Sequence, residues 1–93
     1  MQIQHKQAGS KEMFYIEEGG SILAELVFTM PASNKMIIEH TEVDESLQGK
    51  KVGLQLVEHA VEYAREKNIK IVPLCSYARA VFKRNTEFGD VLA

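Results

Sequence analysis

The chain has 93 residues, 45% of them hydrophobic and 26% charged, and a formal net charge of -2. That length allows one domain around one core and leaves no room for a separate regulatory half. Lysines and arginines are matched by carboxylates without a basic stripe, which excludes an obvious nucleic-acid partner; no segment reaches the roughly 20 apolar residues of a membrane span, and the single cysteine, Cys75, cannot form an internal disulfide. The expectation is a cytoplasmic protein without a membrane partner, a monomer or weak homodimer.

Taken in chain order, the first half reads as strands. Residues 3–7 (IQHKQ) make a weak one and residues 11–18 (KEMFYIEE) a better one. Residues 21–30 (SILAELVFTM) are clearest, because Ile22, Ala24, Leu26, Phe28 and Met30 alternate with more polar neighbours and predict one apolar face. Gly19 and Gly20 supply the positive φ angles of a tight hairpin. After the turn-forming residues 31–34 (PASN), residues 35–43 (KMIIEHTEV) predict a fourth strand. Simple alternation there puts Met36, Ile38, His40 and Glu42 on one face and Ile37, Glu39, Thr41 and Val43 on the other.

The period then changes. From Lys50 to Lys67, Val52, Leu56, Val57, Ala60, Val61 and Ala64 recur at helical spacing, while Glu58, Glu62, Arg65 and Glu66 face water. Asn68 closes this helix. Residues 70–74 (KIVPL) predict a fifth strand in which Pro73 removes a ladder donor and marks an edge or a break in pairing. Residues 76–84 (SYARAVFKR) predict a short helix capped by Ser76. The tail from Asn85 shows no clear period. The fold class is therefore α+β, a single domain over residues 1–93: an antiparallel meander, a helix, a strand parallel to the fourth, and a last helix, in the order β-β-β-β-α-β-α.

The start of the long helix raises a chemical question. Within residues 46–56 (SLQGKKVGLQL) no Ser, Thr, Asp or Asn lies between Leu47 and Gly53, so the first turn lacks an ordinary side-chain cap. Its free amides must find acceptors in water or in a bound anion, and Lys50 and Lys51 add positive charge beside them. From these residues alone, a glycine-containing turn with solvated lysines serves as well as an anion site. The spacing Gly49 to Gly53 is neither a dinucleotide-binding glycine pattern nor a nucleotide-triphosphate loop.

A strand ending in HTEV, a short acidic link, LQGKKVG, a helix, a strand and a final helix together resemble the core of the GCN5-related N-acetyltransferase superfamily. HTEV followed by PLCSYA resembles its minimal, single-domain branch with a cysteine after the fifth strand. The superfamily pattern at the helix start is Gln or Arg, two residues, Gly, one residue, then Gly or Ala. Gln48 and Gly53 match, while Lys51 stands where the first glycine is usual and Gly49 offers conformational freedom nearby.

The resemblance implies acetyl-CoA as the cofactor, with its diphosphate against the backbone of Gln48, Gly49, Lys50, Lys51, Val52, Gly53 and Leu54. It implies that the fourth and fifth strands splay, with the pantetheine arm along Thr41, Glu42 and Val43. Tyr77, Lys83 and Arg84 of the last helix are candidates for contact with the adenine or ribose phosphate, while Lys83 and Arg84 serve equally well to complement the negative end of that helix. The implied function is an acetyl-CoA-dependent N-acetyltransferase acting on a primary amine, whether a small molecule or an exposed lysine, in a shallow groove. The alternative is a coenzyme A or acyl-CoA binding module with little catalysis, for which the departures at Lys51 and Phe82 speak. Phe82 stands where many relatives have a tyrosine that protonates the leaving thiolate.

The catalytic candidates are Cys75 and His40. Cys75 precedes the first turn of the last helix, where the dipole favours a thiolate; it either accepts the acetyl group or positions the amine for direct transfer. Read bluntly, it is a small buried hydrophobe at a strand end. His40, preferred over Glu39 and Glu42 as the base, has a pKa suited to work near neutrality, although a strand histidine is commonly structural. His5 and His59 have no supporting neighbours, and no metal site is expected.

Overall fold

The computed structural model describes residues 2–93. Strands β1 (Gln4–Ala8), β2 (Lys11–Glu18), β3 (Ser21–Ala32) and β4 (Lys35–Val43) form an antiparallel meander, and β5 (Lys70–Pro73) joins it parallel to β4, in the spatial order β1-β2-β3-β4-β5. Gly19 and Gly20 both take positive φ, +59° and +82°, as the hairpin between β2 and β3 requires. The turn between β3 and β4 is tighter than the sequence suggests: β3 continues through Pro31 and Ala32, leaving Ser33 and Asn34 as the connection.

Helices α1 (Val52–Lys67) and α2 (Ser76–Arg84) cover one face of the sheet, and a 3-10 helix (Thr86–Val91) gives the tail a structure its sequence did not announce. The core lies between the helices and that face. Phe14, Leu26, Phe28, Met36 and Ile38 from the sheet meet Leu56, Val57, Ala60 and Ala64 of α1, all fully buried, each large side chain contributing about 1.5–3 kcal/mol of transfer free energy. The apolar stripe of α1 is the one its periodicity predicts. Phe88 and Val91 of the tail close the core beside α2, and Leu92 bridges to Ile71 of β5. No helix among the described residues is long and apolar enough to cross a membrane.

Two β-bulges correct the predicted faces. One falls between Ile16–Glu17 on β2 and Ile22–Ala24 on β3, turning Ile22 away from the core so that it is 39% exposed. The second sits at Glu39: Phe28 pairs with Ile38, but Val27 pairs with His40. One extra residue reverses every later side chain. Met36 and Ile38 face the helices as expected, but beyond the bulge Thr41 and Val43 join them, paired with buried Leu26 and Ala24. His40 and Glu42 share a face with each other, as predicted, yet it is the outer face, away from Met36 and Ile38.

Candidate active site

The link from β4 to α1 is a short 3-10 turn (Glu45–Leu47), capped by Asp44, whose Oδ2 accepts from the Ser46 amide at 2.9 Å and hydroxyl at 2.6 Å. The chain then passes through Gln48, whose side-chain amide donates to the Val43 carbonyl at 3.1 Å, and reaches Gly49 at φ +82°. Lys51 follows at φ +57° and is the N-cap of α1. The helix thus begins at Val52, two residues later than its apolar period indicates. Both Gly49 and Lys51 adopt the left-handed conformation, and Lys51 does so with a β-carbon.

No side chain caps α1. The amides of Val52, Gly53 and Leu54 therefore point along the helix axis into the groove at its start, with the positive end of the helix dipole behind them. That groove, of about 410 Å³, runs from Val43 past Gln48 and Gly49 to Gly53 and Tyr77. A second depression of about 320 Å³ continues it beyond Tyr77 to Leu54, Val81 and Arg84, with Lys51 lining both. Tyr77 stands between them, its ring directly over Gly53; burial pushes its phenol pKa up, which keeps the hydroxyl protonated. Uncapped amides, two residues with positive φ, and the cations Lys51 and Arg84 make a donor set that fits a diphosphate and an adjoining anion.

The splay is visible in the ladder. Parallel pairing of β4 with β5 runs from Lys35–Lys70 to Ile38–Pro73 and stops there. The amides of Leu74 and Cys75 both turn back to the Ile38 carbonyl, at 3.0 and 3.2 Å, so Thr41, Glu42 and Val43 continue without β5 beside them. Cys75, not Ser76, is the N-cap of α2; Ser76 is its first helical residue, because the extended backbone of Cys75 (φ -64°, ψ 132°) makes the corner. The half-buried Cys75 Sγ lies 3.5 Å from Thr41 Oγ1, closing the mouth of the splay. Burial pushes its thiol pKa up, but the Thr41 hydroxyl and the backbone amides of Ala78, Tyr77 and Thr41 outweigh it and leave the thiol more acidic than usual.

Other candidates lie elsewhere. Lys83 is on the far flank of α2, where it lines a separate depression with Pro73, Phe82 and Leu92; its neighbour Arg84 is the cation that faces the groove. Helical geometry explains why Arg84 and not Lys83 faces the groove, since Tyr77, Val81 and Arg84 fall on one stripe at i, i+4 and i+7. Phe82 is buried against Phe88, with ring centroids 6.1 Å apart. His40 is exposed on the outer face, its Nε2 3.2 Å from Glu42 Oε1. His5 contacts Glu12 at 2.8 Å, and His59 packs on Phe14 at 4.6 Å, its pKa lowered chiefly by burial. Sequence reasoning missed Glu25, which β3 delivers opposite Glu42, and no local signal marks it.

A mixed sheet that opens after a short parallel pair, beside a helix whose first amides face the opening, is the architecture of acyltransferases that take their acyl group from coenzyme A. The comparisons agree on the particular kind. The model of the GCN5-related N-acetyl-transferase family matches residues 13–91, and the chain belongs to that family, whose acetyl donor is acetyl-CoA. A GCN5-like protein of Staphylococcus aureus, solved in solution, is 33% identical over 97% of this chain and 87% of its own, with a TM-score of 0.72. An IAA acetyltransferase of Bacillus cereus is 26% identical over 82% of this chain at a TM-score of 0.62. A GNAT family acetyltransferase of Elizabethkingia anophelis, solved with acetyl-CoA bound, is 20% identical over 84% of this chain at a TM-score of 0.63. The chain spans 54% of the length of each of these last two. No curated protein matches it.

Proposed function

We propose that the protein transfers an acetyl group from acetyl-CoA to a primary amine, with Cys75 at the reacting centre. The observation that carries this reading is the position of Cys75: at the N-terminus of α2, 3.5 Å from Thr41 Oγ1, at the point where β4 and β5 part, with a thiol more acidic than usual. Gln48, Gly49, Lys50, Lys51, Val52, Gly53 and Leu54 hold the diphosphate through backbone amides and the two ammonium groups. Thr41, Glu42 and Val43 offer an unpaired strand edge to the pantetheine arm. Tyr77 and Arg84 line the continuation of the groove toward the nucleotide.

Bound acetyl-CoA supplies an activated thioester. The Cys75 thiolate forms a sulfur–carbon bond to the acetyl carbonyl carbon as the donor's own sulfur–carbon bond breaks, releasing coenzyme A as a thiolate. A thiol leaving group with a pKa near 8.5 departs without an acid, which suits a site whose Phe82 has no hydroxyl. The neutral amine nitrogen then displaces the Cys75 thiolate, and the proton it sheds passes to water. In direct transfer, Cys75 and Thr41 only orient the amine. His40, on the opposite face of β4 from Cys75, reaches the amine's proton only through solvent. A chain of 93 residues has little room for the extra strands and loops that enclose an acceptor, which favours an exposed lysine or a small amine over a large, enclosed acceptor.

Incubating the chain with acetyl-CoA and a panel of amines, and following free thiol, tests this reading. Release above background with at least one amine is expected; background rates across the panel, with acetyl-CoA still bound, would leave a binding module. Intact mass of the native chain and of Cys75→Ala separates the covalent route from direct transfer.

A further inference from the structure

The bulge at Glu39 does more than turn His40 outward. It sets Glu42 directly across the ladder from Glu25 and places His40 beside them. One ligand atom from each of Glu25, His40 and Glu42 lies within 4.8 Å of the other two. His40 Nε2 and Glu42 Oε1 are 3.2 Å apart, near the separation of about 3.3–3.5 Å that two ligand atoms take on a tetrahedral ion bound at about 2.0–2.2 Å.

The charges around the cluster are unbalanced. Elsewhere on the sheet, Glu39 is paired with Lys11 at 2.7 Å and Glu12 with His5 at 2.8 Å. Among the described residues, neither Glu25 nor Glu42 is paired with a lysine or arginine. Like charges directly opposite in an antiparallel pair are destabilising, and here the sheet keeps two of them face to face beside an imidazole. One nitrogen and two carboxylate ligands, with remaining positions open to water, is a donor set for a borderline ion of the zinc class; a hard ion such as magnesium prefers an octahedral shell of oxygens and gains little from imidazole.

We propose that Glu25, His40 and Glu42 form a binding site for a divalent zinc-class ion on the outer face of the sheet. The site lies on the opposite face of β4 from the Thr41–Cys75 pair, and of its three residues Glu25 takes no part in the transfer reaction. It also gives the facing carboxylates a shared cationic partner that no lysine or arginine supplies.

Calorimetric titration of the full chain with zinc sulfate tests the proposal, without acetyl-CoA and with magnesium sulfate in parallel. One zinc ion per chain is expected, with negligible heat from magnesium. Glu25→Gln, outside the transfer machinery, should weaken zinc at least 10-fold. That variant relieves the repulsion, so it should also melt higher than the native chain without metal and lose most of the zinc-induced rise in melting temperature. Zinc affinity unchanged in Glu25→Gln, or lost in Cys75→Ala instead, would overturn the proposal, as would the absence of zinc binding.

Discussion

Gly53 and Tyr77 touch so closely that a β-carbon added to Gly53 would lie 2.8 Å from the Tyr77 hydroxyl oxygen. The contact joins the first turn of α1 to the first turn of α2, with the candidate diphosphate groove on one side and its continuation on the other. Because the atom met is the free end of a side chain, Gly53→Ala should displace Tyr77 without unfolding the protein, and alanine is about 1 kcal/mol better than glycine inside a helix. The variant should keep its melting temperature or gain a little, while calorimetry shows acetyl-CoA affinity reduced about 10-fold, about 1.4 kcal/mol. Affinity equal to the native chain's would mean that Tyr77 takes no part in the groove.

Lys51 separates two effects in one residue. Its φ of +57° is costly for a residue with a β-carbon, and Lys51→Gly should stabilise the fold by up to about 1 kcal/mol in chemical denaturation. Removing the ammonium should at the same time weaken coenzyme A and flatten the dependence of its binding on salt. A stability gain with binding and salt dependence unchanged would remove Lys51 from the anion site.

The acidity of Cys75 is a measurable consequence of its corner. Burial raises the thiol pKa, but the Thr41 hydroxyl and the amides at the start of α2 lower it more. Alkylation by iodoacetamide should therefore rise with pH through a midpoint below that of a free thiol, and Thr41→Val should move the midpoint upward. An unchanged midpoint would assign the acidity to the helix start alone.

The tail is tied to α1 by Arg65, whose Nε and Nη2 donate to the two carboxylate oxygens of Asp90 at 2.8 and 2.9 Å. The hydrogen bonds from Arg65 hold the Asp90 pKa below its ordinary value, with burial opposing them. A carboxylate with a lowered folded-state pKa contributes in full above its unfolded value of about 4, and that contribution is lost as pH falls through the lowered one. Asp90→Asn should thus be less stable than the native chain near pH 7, with the gap narrowing as pH falls below the unfolded value of about 4. A gap independent of pH would contradict the ion pair's role.

Most of the architecture was legible because it rests on period. The stripe from Val52 to Ala64 marked α1, and the alternation around Leu26 marked β3. The bulge at Glu39 was not legible, since a one-residue slip leaves local alternation intact and is decided by how β3 and β4 pair across the sheet. The same long-range pairing brought Glu25 to Glu42. Lys83 and Arg84 stand together as candidates because no local signal separates adjacent cations; only the helix's rotation about its axis decides which faces the groove. The corner at Cys75 depended on backbone angles that a preference for serine caps does not reveal. The loop at Gln48 to Gly53 was readable because the missing cap is itself a pattern in sequence.

The central claim is that the amides opening α1 receive the diphosphate of acetyl-CoA, and amide NMR shifts of the 15N-labelled chain during a coenzyme A titration test it most directly. The account predicts that the amides of residues 49–54 move furthest and saturate together with a calorimetric affinity that Gly53→Ala lowers. Saturable binding that moves amides elsewhere and leaves residues 49–54 in place would contradict it.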